Sequence, residues 1–298
     1  MATLSHDTLR VTLHPLTIHV GTAPDSWGVW HASDPRQTPW QRFLDEVAEA
    51  GYDAIELGPF GYLPTEPHRV ADELAKRSLQ LAGGTISGNL SDADGWPPMR
   101  RTAESVCDVL EHLGAHFLVL LDNGPRELDD AGWARLRDTV HRLGEYTASR
   151  GIAAVFHPHG DTSIQFEPEI ERFLDLTDSA LVNLCLDVGH HAYAGGDAVA
   201  FFARHHTRVP YLHLKDVDAA ISRRAIQEDW RMGRAVDEGA FVDLGQGAVD
   251  LDALNRVADE VAYDGWGIVE QDMFPAPFDK PLPIARRNRA FLRDHGIG

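Results

Sequence analysis

The sequence predicts a single (β/α)8 barrel, and three observations predict it. Short apolar, β-rich runs alternate eight times with amphipathic stretches of helical period. Several amphipathic stretches stop at a glycine that also introduces the next apolar run, as in Ala50-Gly51-Tyr52, Leu113-Gly114-Ala115 and Arg150-Gly151-Ile152. Glycine is favoured just past a helix end, where the backbone turns left-handed. No glycine-rich phosphate fingerprint follows the first run, which makes a doubly wound open sheet the runner-up. Strands alternating with helices imply right-handed crossovers and a parallel sheet, and eight such units close most naturally as a barrel.

The strand candidates are 16–21, 53–57, 79–83, 116–121, 152–157, 181–187, 209–214 and 267–270. The helical patterns between them cover about 40–50, 67–77, 99–113, 132–150, 167–175, 198–205, 251–261 and 283–294. No low-complexity linker or charge block splits the chain, so residues 1–298 read as one domain, with residues 1–15 a loose lead-in. The longest connection, Lys215 to Val249 after the seventh strand, reads as a long loop, a lid or substrate-contacting insertion.

With 298 residues, 43% of them hydrophobic, the chain can bury a large core. Its 46 acidic against 27 basic residues give a formal charge of −19. Such a surface repels phosphate backbones and anionic headgroups, so neither nucleic acid nor a membrane surface is an expected partner. The two cysteines, Cys107 and Cys185, fall in a helix and a strand and read as small core residues. No basic-then-apolar start resembles a signal peptide and no apolar run has membrane-spanning length, so the expectation is a cytoplasmic protein. Exposed barrel helices often mediate dimers or tetramers, which leaves a homo-oligomer open.

A parallel barrel gathers its chemistry at the C-terminal strand ends. Alternation along each strand then tells which side chains face inward. Leu184 and Leu186 facing the helices put Cys185 and Asp187 inside; Leu212 and Leu214 outside put Tyr211, His213 and Lys215 inside. By the same parity, Val269 outward puts Glu270 inside, and Phe156 outward puts His157 inside. Inward carboxylates need a cation or a proton. His157, Asp187, His213 and Glu270 form a mixed N/O set suited to Mn2+, Co2+, Mg2+ or Zn2+. In Asp187-Val188-Gly189-His190 the histidine lies a short step past the aspartate, near the substrate. Lys215, in His213-Leu214-Lys215-Asp216, either binds an oxyanion, serves as acid or base with a lowered pKa, or simply pairs with Asp216 or Glu270.

Three segments carry a resemblance: Gly21-Thr22-Ala23-Pro24-Asp25-Ser26-Trp27-Gly28, Glu56-Leu57-Gly58-Pro59-Phe60-Gly61-Tyr62, and His157-Pro158-His159. With them the chain resembles the inosose (2-keto-myo-inositol) dehydratases of the xylose-isomerase-like barrel superfamily, from about Ile18 to the last helix. The D-x-G-H and H-x-K-D motifs at Asp187 and His213 are shared across the whole superfamily. The resemblance implies a Mn2+- or Co2+-type metal and loss of water from a keto-inositol, with Asp187, His213 and Glu270 matching three usual ligands. His157 stands where a Glu is usual, so Asp161, Gln165 or Glu167 is an alternative source of the fourth ligand.

The implied dehydration needs a Lewis acid on the ketone, stabilising an enediolate, a base for the α-proton and an acid for the departing hydroxyl. Glu270 or His159 is the candidate base, and His190 or Lys215 the candidate acid. Trp27 as a stacking platform, with Glu56, Asp122 and Asn123 as polar contacts, are the candidate groups for a small polyhydroxylated sugar or inositol-derived substrate. Gln271 and Asp272 would support them. Three rivals remain. A ketose 3-epimerase or aldose–ketose isomerase would use the same metal and return the proton. An endonuclease IV-like nuclease needs more histidines and a basic groove, and a barrel without catalysis would only bind sugar.

Overall fold

The computed structural model describes residues 18–298; the expected lead-in and the first two residues of the first strand candidate lie outside the described residues. Its strands are β1 Ile18–Thr22, β2 Ala54–Glu56, β3 Gln80–Gly88, β4 Phe117–Asp122, β5 Ala153–Phe156, β6 Val182–Asp187, β7 Tyr211–Leu214, β8 Asp216–Val217, β9 Phe241–Val242 and β10 Gly265–Val269. Eight of them close a parallel barrel in the order β1-β10-β7-β6-β5-β4-β3-β2. Its closing seam runs from Ile18 beside Gly265 to Thr22 beside Val269.

The helices are α1 Trp40–Ala50, α2 Pro67–Ala75, α3 Trp96–Leu113, α4 Asp130–Ala148, α5 Glu167–Leu176, α6 Val188–Tyr193, α7 Ala198–His205, α8 Ala219–Gln227, α9 Met232–Asp237, α10 Leu251–Glu260 and α11 Pro281–Asp294. All eight expected helices form, and the three glycine stops have positive φ (Gly51 86°, Gly114 70°, Gly151 70°). The third strand runs five residues past its expected end at Gly83. Gly83 and Gly84 lie inside it because neighbours crowd them: a Cβ on Gly83 would sit 3.0 Å from Tyr211 Oη, and one on Gly84 2.8 Å from Val106 Cγ1.

The core has two layers. Between strands and helices, Phe43, Leu110, Phe156, Phe173, Leu184 and Leu212 pack into the large outer cluster. Inside the barrel, Ala82, Val119, Val155, Cys185, Tyr211 and Ile268 fill the axis, as the strand alternation requires. Both cysteines are free and buried. Among the described residues no helix is long and apolar enough to cross a membrane.

The connection after β7, expected as a long loop serving as a lid or substrate-contacting insertion, carries secondary structure of its own. It folds as α8 and α9 between the antiparallel pair β8–β9, around a small core of Tyr193, Val217, Ala225, Trp230, Met232, Ala235, Ala240 and Phe241. Asp216 closes its root by accepting the N–H groups of Val217, Gly245, Gly247 and Val249. The motif aspartate is therefore committed to backbone and does not pair with Lys215.

Candidate metal centre

β5, β6, β7 and β10 each deliver one inward polar side chain at or just past their C-terminal end, because their neighbours Phe156, Leu186, Leu212, Leu214 and Val269 are taken up by the outer layer. His157, Asp187, His213 and Glu270 thereby bring one ligand atom apiece to within 4.8 Å of one another, all buried. His213 Nδ1 lies 3.0 Å from Glu270 Oε2 and 3.8 Å from Asp187 Oδ2; His157 Nε2 lies 4.0 Å from the same Asp187 oxygen.

Local folding aims these atoms. Asp187 is the N-cap of α6, its Oδ1 accepting the His190 N–H at 2.8 Å, which turns Oδ2 toward the centre. D-x-x-H is thus also the spacing of a helix cap to its third residue. A Cβ on Gly189 would sit 2.6 Å from the Lys215 stem, so this glycine makes room for the lysine. His213 is oriented from across the barrel: Glu56 accepts from its Nε2–H at 3.2 Å, from Tyr211 Oη at 3.0 Å and from Thr85 Oγ1. That bond keeps a proton on Nε2 and leaves Nδ1 facing Glu270 and Asp187, the nitrogen that would bind a metal. Glu56 faces the mouth, as its strand position implied, but its oxygens are occupied by protein donors.

The donor set fits a divalent cation. Asp187 Oδ2 and His213 Nδ1, both facing the centre, are buried without a directed hydrogen bond, and the carboxylates gathered around them call for positive charge beyond that of Lys215. Burial, then the neighbouring His213, pushes the His157 pKa well below its ordinary value, so its imidazole is neutral, the form that binds metal. Burial works to raise the Asp187 pKa, yet Lys215 first and His190 next hold it well below the carboxylate range. The alternative fourth donors are committed elsewhere: Asp161 to Arg231 and Arg126, Gln165 to the Asp161 N–H, and Glu167 to His191 and Arg204.

Lys215 corrects one expectation. Its Nζ sits 3.0, 3.1 and 3.0 Å from Asp187, Glu270 and Asp272. Burial pulls its pKa down, but Asp187, Asp272 and Glu270 outweigh it and hold the ammonium well above its ordinary value. It is a fixed cation and hydrogen-bond donor, not a base with a lowered pKa. His159 lines the cavity, its Nδ1–H donating to Gly160 O at 2.7 Å, and burial followed by His190 pushes its pKa down to about 3. Its Nε2 is therefore a free lone pair. His190 packs behind it, ring centroids 3.9 Å apart and planes tilted by 43°, with Nε2 3.4 Å from Asp272, and is not part of the cavity wall.

The mouth opens into a cavity of about 640 Å³, and the substrate-contact expectations change there. Trp27 is fully buried, edge-on to Phe43 and bonded through Nε1 to Glu46; Trp30, three residues on and stacked on Phe274, lines the cavity instead. Asp122 is turned away, accepting from Leu90 N–H, Gly124 N–H and Ser163 Oγ to tie loops together, and Asn123 is exposed outside the wall. Gln271 bonds Asp243 and Asn288, whereas Asp272 lines the cavity. Sequence reasoning gave no role to Asp25, which shares the wall with Glu270, Lys215 and Asp272, or to Met232 of the insertion.

A closed parallel barrel with a buried two-histidine, two-carboxylate cluster at its C-terminal mouth defines a class of TIM barrel built around a candidate metal centre. The chain belongs to the xylose isomerase-like TIM barrel family, whose profile matches residues 44–295. It is 26% identical to inosose dehydratase of Clostridium beijerinckii, covering 93% of this chain and 97% of that protein. With the inosose dehydratase of Bacillus thuringiensis it shares 27% identity, at the same coverages. Among solved structures it is similar to the probable 3-DHS dehydratase AsbF of Bacillus anthracis (TM-score 0.72, 13% identity, covering 93% of this chain and 99% of that one). It is also similar to the IolI protein with a bound zinc atom (TM-score 0.71, 15% identity, 92% and 98%).

Proposed function

We propose that this chain is a divalent-metal-dependent hydro-lyase that removes water from a keto-inositol or closely similar polyhydroxylated ring ketone. The observation that carries the reading is the buried cluster of His157, Asp187, His213 and Glu270, whose ligand atoms lie within 4.8 Å of one another at the mouth where a barrel enzyme works. Relatives named inosose dehydratase over 93% of the chain support the reaction and the substrate class.

Those four side chains would hold the ion, with Mn2+ or Co2+ first and Mg2+ or Zn2+ compatible with the donors; a fold neighbour binds zinc. When bound, the ion supplies positive charge that polarises a ketone oxygen. This chain's residues do the rest. Glu56 holds His213 in its tautomer. The α-proton goes to His159 Nε2 or to Glu270, both on the cavity wall. Lys215, protonated and pinned by three carboxylates, fixes the spacing of Asp187, Glu270 and Asp272 and offers N–H groups to substrate oxygens. His190 steadies Asp272 and His159 from behind. Trp30 and Phe60 give the cavity an apolar side suited to the C–H face of a ring.

The test is direct. Metal-loaded protein incubated with 2-keto-myo-inositol should develop an enone absorbance that chelator abolishes. Glu270→Gln and His159→Ala, each checked for retained metal, identify the base by which one stops α-proton exchange. Absence of the absorbance with a new epimer accumulating would replace the dehydratase by the ketose 3-epimerase.

A further inference from the structure

We infer that Asp25 is the proton donor of this site, the group that hands a proton to the hydroxyl leaving the substrate. The inference rests on the dehydratase reading and adds the residue that separates it from proton shuffling alone.

Asp25 lies in the 3-10 turn Pro24–Trp27 that follows β1, and its placement is built from both sides. Ser26 Oγ donates to Val269 O at 3.3 Å and accepts the Gln271 N–H at 3.0 Å, so the turn is stapled to the two backbone neighbours of Glu270. Thr22 Oγ1 adds a bond to Val269 O at 2.8 Å. Pro24 opens the turn and Gly28, at φ 71°, closes it. The result is a rigid carboxyl on the cavity wall beside Glu270, Lys215 and Asp272.

Its chemistry differs from that of its neighbours. Asp187, Glu270 and Asp272 each have Lys215 Nζ within 3.1 Å, and Glu56 has His213. Among the described residues Asp25 has no ion-pair partner, and its side chain makes one hydrogen bond, Oδ1 accepting the Ser26 N–H at 2.8 Å. Oδ2 is left uncommitted. Burial on the cavity wall with no cation paired to it favours the protonated form of this carboxyl. One acid kept protonated among ionised ones is the pattern of an acid–base pair. In the reaction the base takes the α-proton and the C–H electron pair becomes the π bond of the new C=C. The C–O bond breaks with its pair on oxygen, the Asp25 Oδ2 proton joins it, and water leaves. Asp25 ends as a carboxylate, and proton exchange with solvent restores both groups.

The experiment follows metal-loaded protein with 2-keto-myo-inositol in D2O, reading α-deuterium uptake by NMR and water loss by absorbance. Wild type should show both. Asp25→Asn keeps the acceptor for Ser26 N–H but has no acidic proton; it should lose dehydration about 10²–10⁴-fold while exchange stays within about threefold. Asp25→Glu, which restores an acid on a longer arm, should recover part of the loss at unchanged metal content. Dehydration by Asp25→Asn within about threefold of wild type, or parallel loss of exchange and dehydration, overturns the assignment. A wild type that exchanges but releases no water fails one step earlier, overturning the dehydratase reading and, with it, the leaving hydroxyl as the target of Asp25.

Discussion

Replacing Glu56 by Gln changes one charged atom pair 3.2 Å from the imidazole of His213 and nothing on the four donor residues. Two carboxylate oxygens serve three donors in the wild type, Thr85 Oγ1 on one side and Tyr211 Oη with His213 Nε2–H on the other. A glutamine has a single acceptor oxygen, so at least one donor meets an N–H2 group. Losing a hydrogen bond to a buried charged group is worth about 1.5–3 kcal/mol. Loss of the group that orients a metal-binding histidine lowers affinity about 10–100-fold, or about 1.4–2.8 kcal/mol at 1.4 per decade. The two routes agree, so the Mn2+ dissociation constant of Glu56→Gln should rise about 10–100-fold. Calorimetric titration of chelator-stripped protein measures it, with Glu66→Gln on the exposed surface as a variant that should bind like wild type. A Glu56→Gln constant within about twofold of wild type would refute the orienting role and the tautomer it fixes.

Trp27 and Trp30 should separate core from cavity: Trp27→Ala costs about 3–5 kcal/mol of stability in denaturant melts, whereas Trp30→Ala leaves stability nearly unchanged and raises KM. Asp216→Ala strips the acceptor from four backbone N–H groups at the root of the insertion. Limited proteolysis should then cut first between residues 216 and 249, with the barrel remnant intact by mass spectrometry. Asp122→Ala should lower the melting temperature, through the freed Leu90, Gly124 and Ser163 donors, and leave metal binding unchanged.

The barrel was legible because two short-range signals agree along the chain: helical period broken at Gly51, Gly114 and Gly151, and two-residue alternation that set Cys185 and Asp187, or Tyr211 and His213, on the inner face. The same parity brought His157, Asp187, His213 and Glu270 into one list. What stayed hidden depends on partners far away in sequence. Glu56 reads as a mouth carboxylate until His213, 157 residues on, is seen beside it. Trp27 and Trp30 are both amphipathic aromatics after β1, and only the positive-φ turn at Gly28 decides which one enters the core. The pull of three carboxylates on Lys215 likewise needs the folded mouth. Two further signals are local: an aspartate three residues before a histidine at a strand end is cap spacing, and the segment after Asp218, an N-cap to Ala220 and Ile221 N–H, has a helical pattern.

A crystal of Mn2+-soaked protein, with data collected for anomalous signal, tests the metal centre most directly. One strong peak in coordinating contact with His157, Asp187, His213 and Glu270, at one ion per chain, is the expected map. An empty cluster under saturating Mn2+, with Lys215 alone neutralising Asp187 and Glu270, would contradict it.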